Sequence, residues 1–335
     1  MGSTALGGGA APAHAGVLVP KSGIFGLNLK ACSGSMLKTT SKVGCPLLRV
    51  RASVTSSPQK QYSSKTADTE SDEEVHIAVL GASGYTGAEI VRLLANHPQF
   101  RIKVMTADRK AGEQFGSVFP HLITQDLPNL VAIKDADFSN VDAVFCCLPH
   151  GTTQEIIKSL PKQLKIVDLS AQEAVYGLTE ILRDEIRNAR LVANPGCYPT
   201  SIQLPLVPLI KAKLIKLSNI IIDAKSGKRG MQSTMFVEMA SGVTVNDLYR
   251  HLKSTYEGEE FVKLLHGSSV PHTRHVVGSN YCFMNVFEDR IPGRAIIISV
   301  IDNLVKGASG HAVQNLNLMM GLPENTGLQY QPLFP

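Results

Sequence analysis

Apolar runs alternate with amphipathic segments between residues 75 and 171. "VHIAVL" (75–80) is a short apolar run, and apolar residues recur at helical spacing in the segment that follows it. Three more apolar runs, "FRIKVMT" (100–106), "VDAVFCC" (141–147) and "KIVDLSA" (165–171), are separated by a charged loop and by the helical segment "TTQEIIKSL". Strands that alternate with helices predict βαβ units and a doubly wound parallel sheet.

Beyond Leu191 the pattern becomes rich in strands. Four segments carry strand-like apolar runs with few helices between them, namely "SNIIIDAKSG", "QSTMFVEMA", "VGSNYCFMNVFE" and "GRAIIISVIDNL". A helix is predicted over 307–322. We therefore expect an α/β protein: a Rossmann-type domain followed by an α+β domain whose sheet is mostly antiparallel.

The first 67 residues differ in charge from the rest of the chain. They contain eight Lys or Arg, ten Ser and no Asp or Glu, whereas residues 68–335 contain 25 basic and 28 acidic residues. A basic, Ser-rich and acid-free leader is typical of an organelle transit peptide, and a basic arm for nucleic acid is the alternative. The scattered basic residues favour the transit peptide.

The composition of the chain argues against several classes of binding partner. The chain lacks Trp and has few aromatic residues, which argues against a stacking surface for nucleic acid. No apolar run approaches the roughly 20 residues that cross a bilayer. The lack of such a run argues against a membrane partner. The cysteine spacing matches neither a zinc site nor a disulfide framework, so we expect no metal.

A glycine-rich turn follows the first predicted strand. Gly81, Gly84 and Gly87 in "GASGYTG" have the spacing G-x-x-G-x-x-G and lie between a strand and a helix. There a dinucleotide's pyrophosphate can approach backbone N–H groups and the helix N-terminus; a turn without a ligand is the alternative. The residues expected at the cofactor are Gly81, Ser83, Gly84, Tyr85, Thr86, Gly87, Arg109, Pro149 and Gly307.

The loop after the second strand bears on which dinucleotide binds. An acid there suits the ribose 2′-hydroxyl of NAD, whereas a basic residue suits the 2′-phosphate of NADP. The loop reads "TADRKAG", with Asp108 followed by Arg109 and Lys110. We expect NADP(H), and a solvated charged loop is the alternative.

Cys197 lies in "ANPGCYPTS", at a Pro-Gly corner that precedes a predicted helix. A helix N-terminus stabilises a thiolate, which lowers the pKa of the thiol. A thiolate beside a nicotinamide suits covalent reduction of an activated acyl group. A small buried side chain at a turn is the alternative reading.

Three stretches together resemble one family. "GASGYTGAE" (81–89), "NPGCYPTS" (194–201) and "DNLVKGASGHAVQNLN" (302–317) look like fingerprints of the N-acetyl-gamma-glutamyl-phosphate reductases, and "LPHG" and "HTRHVVGSNYC" add further matches. The resemblance implies an NADP domain with a catalytic domain similar to that of aspartate-semialdehyde dehydrogenase. It also implies NADPH-dependent reduction of N-acetyl-glutamyl 5-phosphate to the semialdehyde, in arginine biosynthesis, through a thioester on Cys197.

The resemblance further implies a plant form from the chloroplast stroma, an acyl-phosphate substrate and a homo-oligomer, either dimer or tetramer. Asn194 and Arg274 are candidate substrate contacts. The expected division is a leader over 1–74, an NADP-binding domain over 75–172 completed by 307–335, and a catalytic and dimerisation domain over 173–306.

Two family segments are missing from this chain, at Ala171/Gln172 and at Gly227/Lys228. In the family the second segment bears a histidine thought to act as acid and base, and its loss predicts a rate loss on the order of 10² to 10⁴. We also expect exposed apolar surface where that segment is absent. The alternative function is therefore a catalytically impaired NADP-binding variant or a regulatory subunit.

Overall fold

The computed structural model describes residues 74–149, 152–170 and 174–333. The leader up to residue 73, residues 150 and 151, and the junction between Ala171 and Gln172 lie outside these residues. Within the described ranges, the chain forms two β-sheets with helices packed on them. No helix in those ranges has both the length and the apolar character that a bilayer crossing requires.

The first sheet is fully parallel and has seven strands in the order β3-β2-β1-β4-β5-β7-β6. The strands are β1 (Val75–Leu80), β2 (Phe100–Thr106), β3 (Leu130–Val131), β4 (Ala143–Cys146), β5 (Lys165–Asp168), β6 (Val175–Tyr176) and β7 (Leu191–Ala193). This confirms the predicted doubly wound sheet. The strand order reverses between β1 and β4, and ligands of such sheets bind at this switch point.

Helices cover both faces of this sheet because alternate residues of its strands are apolar on both sides. In β1, Ile77 and Val79 join one buried cluster, whereas Ala78 and Leu80 join another. The helices are α1 (Tyr85–Leu94), α2 (Phe115–Val118), α3 (Thr153–Ser159), α4 (Thr179–Arg187) and α7 (Gly310–Met319). The last helix, α7, is buried along its length and contacts β5, α1 and α4.

The second sheet has five strands in the order β10-β11-β12-β9-β8. They are β8 (Ile221–Ser226), β9 (Met231–Glu238), β10 (Val262–Leu264), β11 (Cys282–Glu288) and β12 (Arg294–Ile301). Three of the four pairings are antiparallel, as expected, and only β10 pairs with β11 in parallel. Helices α5 (Cys197–Lys211) and α6 (Val245–Thr255) pack against the face that buries Met231, Met235 and Val237.

The edge strand β8 leaves apolar side chains in solvent. Ile221 is 54% exposed and Ile222 is 40% exposed, and these residues point to opposite faces of the sheet. Exposed apolar surface was expected beside the Gly227/Lys228 junction, and this strand ends at that junction.

The first sheet extends beyond the boundary at residue 172 that the sequence suggested. Strands β6 and β7 lie after that boundary, yet both pair within the parallel sheet, and β7 ends at Ala193. Strands of two and three residues are too short to carry a recognisable alternation of apolar positions.

Candidate active site

A cleft of about 650 Å³ opens at the carboxyl ends of β1, β2 and β4. It lies at the switch point of the parallel sheet, where this architecture binds its ligands. Among the residues expected at a cofactor, six line the cleft: Gly81, Ser83, Gly84, Thr86, Arg109 and Pro149.

The glycine turn brings the backbone close to its neighbours on both sides. Gly81 has φ +77°, and a Cβ there would lie 2.6 Å from the carbonyl oxygen of Cys147. A Cβ on Gly87 would lie 2.3 Å from the carbonyl oxygen of Gly81. Gly87 therefore allows α1 to pack on the turn and does not itself line the cleft. No residue with a side chain fits at either position without movement of the backbone.

The first turn of α1 presents backbone donors to the cleft. Gly84 is the N-cap residue, no side chain caps the helix, and its first turn contains no acidic residue. The first N–H groups of a helix have no acceptor within that helix. Together with the helix dipole, they favour an anion at Ser83 to Thr86, so these residues fit a dinucleotide pyrophosphate.

The charged loop after β2 has one partnered acid and one free cation. The Asp108 carboxylate accepts the Ile133 N–H at 2.9 Å, and Lys110 pairs with Glu113 at 3.1 Å. Arg109 lines the cleft and, within the described residues, has no ionic partner. Because the acid is engaged and the guanidinium is available, this loop suits a 2′-phosphate, as predicted.

Cys197 is the first residue of α5, with Gly196 as the N-cap. The side chain is half-buried. Burial raises the pKa of the Cys197 thiol, and the N–H groups of Tyr198 and Cys197 and the Ser226 hydroxyl offset this only in part. The expected net lowering of the pKa is therefore wrong for this structure, because desolvation outweighs the helix N-terminus.

A π-helical turn, Val305–Ser309, connects Cys197 to the cleft. A Cβ on Gly307 would lie 2.8 Å from the Cβ of Cys197, and the Ser309 hydroxyl donates to the carbonyl oxygen of Thr86 at 2.9 Å. Cys197 and the first turn of α1 thus flank one short segment. Gly307, expected at the cofactor, is placed by the structure directly against the cysteine.

Asn194 is buried beneath the same segment. Its amide nitrogen donates to the carbonyl oxygens of Pro195 and Ala308, at 3.2 and 3.1 Å, and its amide oxygen accepts from Asn315 at 3.0 Å. These bonds join the Cys197 corner to α7. They favour a role in positioning the corner over the contact with substrate that the sequence suggested.

Arg274 lies on an exposed turn, Thr273–His275, with His272 before it. The imidazoles of His272 and His275 are 5.3 Å apart. The turn packs on the tip of the β8–β9 hairpin, since a Cβ on Gly230 would lie 3.0 Å from the Cβ of Thr273. Arg274 is therefore beside the hairpin and does not line the cleft.

Behind the π-helical turn is a buried charged cluster that no sequence pattern predicted. The Lys306 ammonium lies 2.5 Å from the Glu180 carboxylate and donates to the Gln314 amide oxygen at 2.8 Å, and both charged side chains are fully buried. Burial alone would raise the pKa of Glu180, but Lys306 and His311 outweigh it and hold the pKa at about 2. Polar residues in the closing helical segment were the available signal, because a buried helix rarely carries Lys, His and Gln.

Two models of protein families match the chain. "Semialdehyde dehydrogenase, NAD binding domain" matches residues 76–189, and "Semialdehyde dehydrogenase, dimerisation domain" matches residues 197–228 and 228–303. The second match breaks at residue 228, where the sequence predicted a missing segment. These matches agree with the two-sheet architecture and with a dinucleotide at the cleft.

Comparison with curated relatives decides the family. A probable N-acetyl-gamma-glutamyl-phosphate reductase, chloroplastic, of Oryza sativa subsp. japonica is 72% identical over 417 residues, covering 100% of both chains. The chain belongs to the N-acetyl-gamma-glutamyl-phosphate reductase family. A member of this family from Arabidopsis thaliana, also named as probable and chloroplastic, is 55% identical and covers 81% of this chain and 88% of its own. The Rhodospirillum rubrum reductase is 43% identical over 78% of this chain and 99% of its own.

The alignment with the rice reductase family member spans 417 positions, whereas the chain has 335 residues. Segments present in that relative are therefore absent here, as predicted from the sequence.

Among solved structures, aspartate semialdehyde dehydrogenase II of Vibrio cholerae has a TM-score of 0.59 at 14% identity, covering 74% of this chain and 99% of its own. The Candida albicans aspartate semialdehyde dehydrogenase with NADP has a TM-score of 0.56 at 16% identity, covering 76% and 100%. These two likenesses show the fold.

Proposed function

We propose that this chain is an NADPH-dependent N-acetyl-gamma-glutamyl-phosphate reductase of arginine biosynthesis. It converts N-acetyl-glutamyl 5-phosphate into the 5-semialdehyde with release of phosphate. The observation that carries the proposal is Cys197 at the start of α5, joined to the glycine turn through Gly307 and Ser309.

The proposed role of Cys197 is nucleophilic. Its thiolate forms a bond to the acyl carbon, the carbon–oxygen bond to phosphate breaks, and phosphate leaves with that electron pair. NADPH, when bound, supplies the hydride that reduces an acyl group at this oxidation level. Collapse of the resulting thiohemiacetal releases the aldehyde and returns the sulfur as thiolate.

The remaining site residues have binding and positioning roles in this proposal. Gly81, Gly84 and Gly87 shape the turn; Ser83, Tyr85 and Thr86 provide the N–H groups at the pyrophosphate; Arg109 takes the 2′-phosphate; and Pro149 borders the cleft. Gly307 and Asn194 hold the cysteine corner, and Arg274 is a candidate contact for the substrate phosphate.

We further propose the division of the chain given by the sequence, with 75–172 and 307–335 binding the dinucleotide and 173–306 binding the substrate. Strands β6 and β7 belong to the second of these ranges by sequence, and their pairing within the parallel sheet joins the two parts. The match to a dimerisation domain supports an oligomer, for which we propose a homodimer or a homotetramer. The chloroplastic names of the plant relatives support a chloroplast location, which we place in the stroma.

The comparisons do not favour the alternative of an impaired or regulatory variant, because the relatives are named as reductases. The deciding experiment is phosphate-dependent reduction of NADP⁺ by N-acetyl-glutamate semialdehyde, which is the reaction in reverse. We expect turnover that Cys197→Ala abolishes while NADPH binding remains. The buried thiol of Cys282, which is in β11, provides the matched control Cys282→Ala. The proposal would be refuted if the wild-type protein shows no turnover, or if Cys197→Ala leaves the turnover unchanged.

A further inference from the structure

The β8–β9 hairpin has a short tip at the place where the family model breaks. Residues 227–230 form the turn, closed by the Gly227 N–H donating to the Gly230 carbonyl oxygen at 2.7 Å. Asn303 donates to the Gly227 carbonyl oxygen at 2.7 Å. The tip is therefore held against the loop that leads into the π-helical turn.

Arg229 anchors the tip to the first helix of the parallel sheet. Its guanidinium lies 3.4 Å from the Glu89 carboxylate on α1 and 3.8 Å from the Asp302 carboxylate, and both acids are buried. Burial opposes ionisation of Glu89, but Arg92 and Arg229 hold its pKa below the ordinary value. The charge of Arg229 is thus compensated, and the hairpin is fixed beside α1.

The neighbouring cation, Lys228, is not compensated. Its ammonium lies 5.5 Å from the centre of the Tyr85 ring, in the first turn of α1. Within the described ranges Lys228 has no carboxylate partner, and the first turn of α1 has no acidic residue. A cation beside the positive end of a helix dipole is unfavourable unless an anion lies near both.

We propose that Lys228 binds the pyrophosphate of the nicotinamide dinucleotide, together with the N–H groups of the glycine turn. This inference rests on the proposed function, and it names a cofactor contact contributed by the second sheet. The hairpin tip places the ammonium beside Tyr85 in the first turn of α1, Arg229 fixes the tip to Glu89 of the same helix, and the Tyr85 ring face stabilises the cation. In this proposal the bound dinucleotide contacts both the glycine turn of the parallel sheet and the β8–β9 hairpin of the second sheet.

The test measures NADPH binding directly, by fluorescence titration of the full chain, in Lys228→Met and in the wild type. Loss of one charge-assisted contact predicts a dissociation constant raised about tenfold, with a weaker dependence on salt. Lys228→Arg should restore most of the affinity. Lys225→Met is the matched control, because Lys225 is an exposed lysine of the same hairpin that pairs with Asp223.

Affinity for NADPH within twofold of the wild type in Lys228→Met would overturn the inference, as would an equal loss in Lys225→Met. An unchanged NADPH affinity with a raised KM for phosphate in the reverse reaction would also overturn it and assign Lys228 to the substrate. Wild-type protein that binds NADPH without turnover would refute the proposed reaction alone. Wild-type protein that fails to bind NADPH would refute both.

Discussion

At the residue scale, the proposed reaction depends on how closely the π-helical turn packs against Cys197. Burial raises the pKa of the Cys197 thiol in this structure, so the neutral thiol dominates near pH 7. The proposed role of the residue rests on its placement, because Gly307 lets the π-helical turn lie against it and Ser309 joins that turn to Thr86. A neutral thiol must lose its proton before it attacks, because the thiolate is the nucleophile.

Gly307→Ala tests this placement. The added methyl would lie 2.8 Å from the Cβ of Cys197 and 3.2 Å from the carbonyl oxygen of Asp302, so either the cysteine or the backbone must move. We expect turnover in the reverse assay to fall about 100-fold, because a displacement near 1 Å at a reacting atom has an effect of that size. The loss of stability should be about 1–3 kcal/mol, as for other overpacked sites.

Gly258→Ala is the matched control, because a Cβ there meets no atom within 4 Å and its φ is not in the left-handed region. It should retain wild-type turnover. If Gly307→Ala is as active as Gly258→Ala, the close packing of the π-helical turn on Cys197 has no role in the reaction.

The sequence predicts some elements of this fold well and others hardly at all. The β1–α1 unit was predictable because Gly81, Gly84 and Gly87 fall between an apolar strand and a helix with apolar residues at regular spacing. The two-residue strand β6 was not, because pairing within the sheet, and not a sequence pattern, defines it. The hairpin tip at 227–230 and its contact with α1 depend on a tertiary ion pair between residues 140 positions apart, which no local pattern contains.

The buried cluster behind the π-helical turn also depends on tertiary packing that no local sequence pattern contains. Lys306 and His311 were both within a stretch that resembled the family, but their burial beside Glu180 follows from how α4 and α7 pack together. The position of Cys197 at the start of a helix was predictable from the Pro-Gly corner before it. The sign of its pKa shift was not, because burial is a property of the folded chain.

Lys306→Met tests the contribution of this cluster to the packing of α4 on α7. The substitution leaves the fully buried Glu180 carboxylate without its cation, and breaking such a pair costs about 3–5 kcal/mol. We expect a loss of that size in the free energy of unfolding from urea titration, and a rise in the pKa of Glu180. Adding Glu180→Gln to Lys306→Met should recover part of the loss, because no uncompensated charge then remains.

The control is Lys158→Met, which removes an exposed lysine paired with Glu155 on α3. Exposed pairs contribute little, so its unfolding curve should match the wild type. Equal curves for Lys306→Met and Lys158→Met would show that the buried cluster does not stabilise the helix pair.

At the scale of the whole molecule, two buried histidines tie α7 to other parts of the structure. His97, just before β2, contacts Asn317 on α7 at 3.1 Å through Nε2, and its Nδ1 accepts the Phe100 N–H at 3.0 Å. His311 on α7 accepts the Thr179 N–H through Nε2 at 3.3 Å. Each ring uses one nitrogen as an acceptor, so protonation would remove a hydrogen bond and place a charge in the interior.

This arrangement predicts that stability falls as the pH decreases below neutrality. Burial lowers the pKa of His97 to about 4 and that of His311 to about 3. In the unfolded chain both titrate near 6.5, so between those values the unfolded state binds more protons, and the free energy of unfolding decreases with falling pH. At pH 5 the loss should be about 2 kcal/mol for each histidine relative to pH 7.5. Urea unfolding at the two pH values measures it.

His97→Gln should remove about half of this pH dependence, whereas His121→Asn, which changes an exposed histidine, should leave all of it. Glu180 does not confound the comparison. With a folded pKa of about 2, this carboxylate adds stability at high pH that is lost only as the pH falls below its unfolded pKa near 4.3. Equal free energies of unfolding at pH 5 and pH 7.5 in the wild type would mean that these imidazoles accept protons inside the fold. The contacts of α7 with the segment before β2 and with α4 would then not depend on the neutral form of the two histidines.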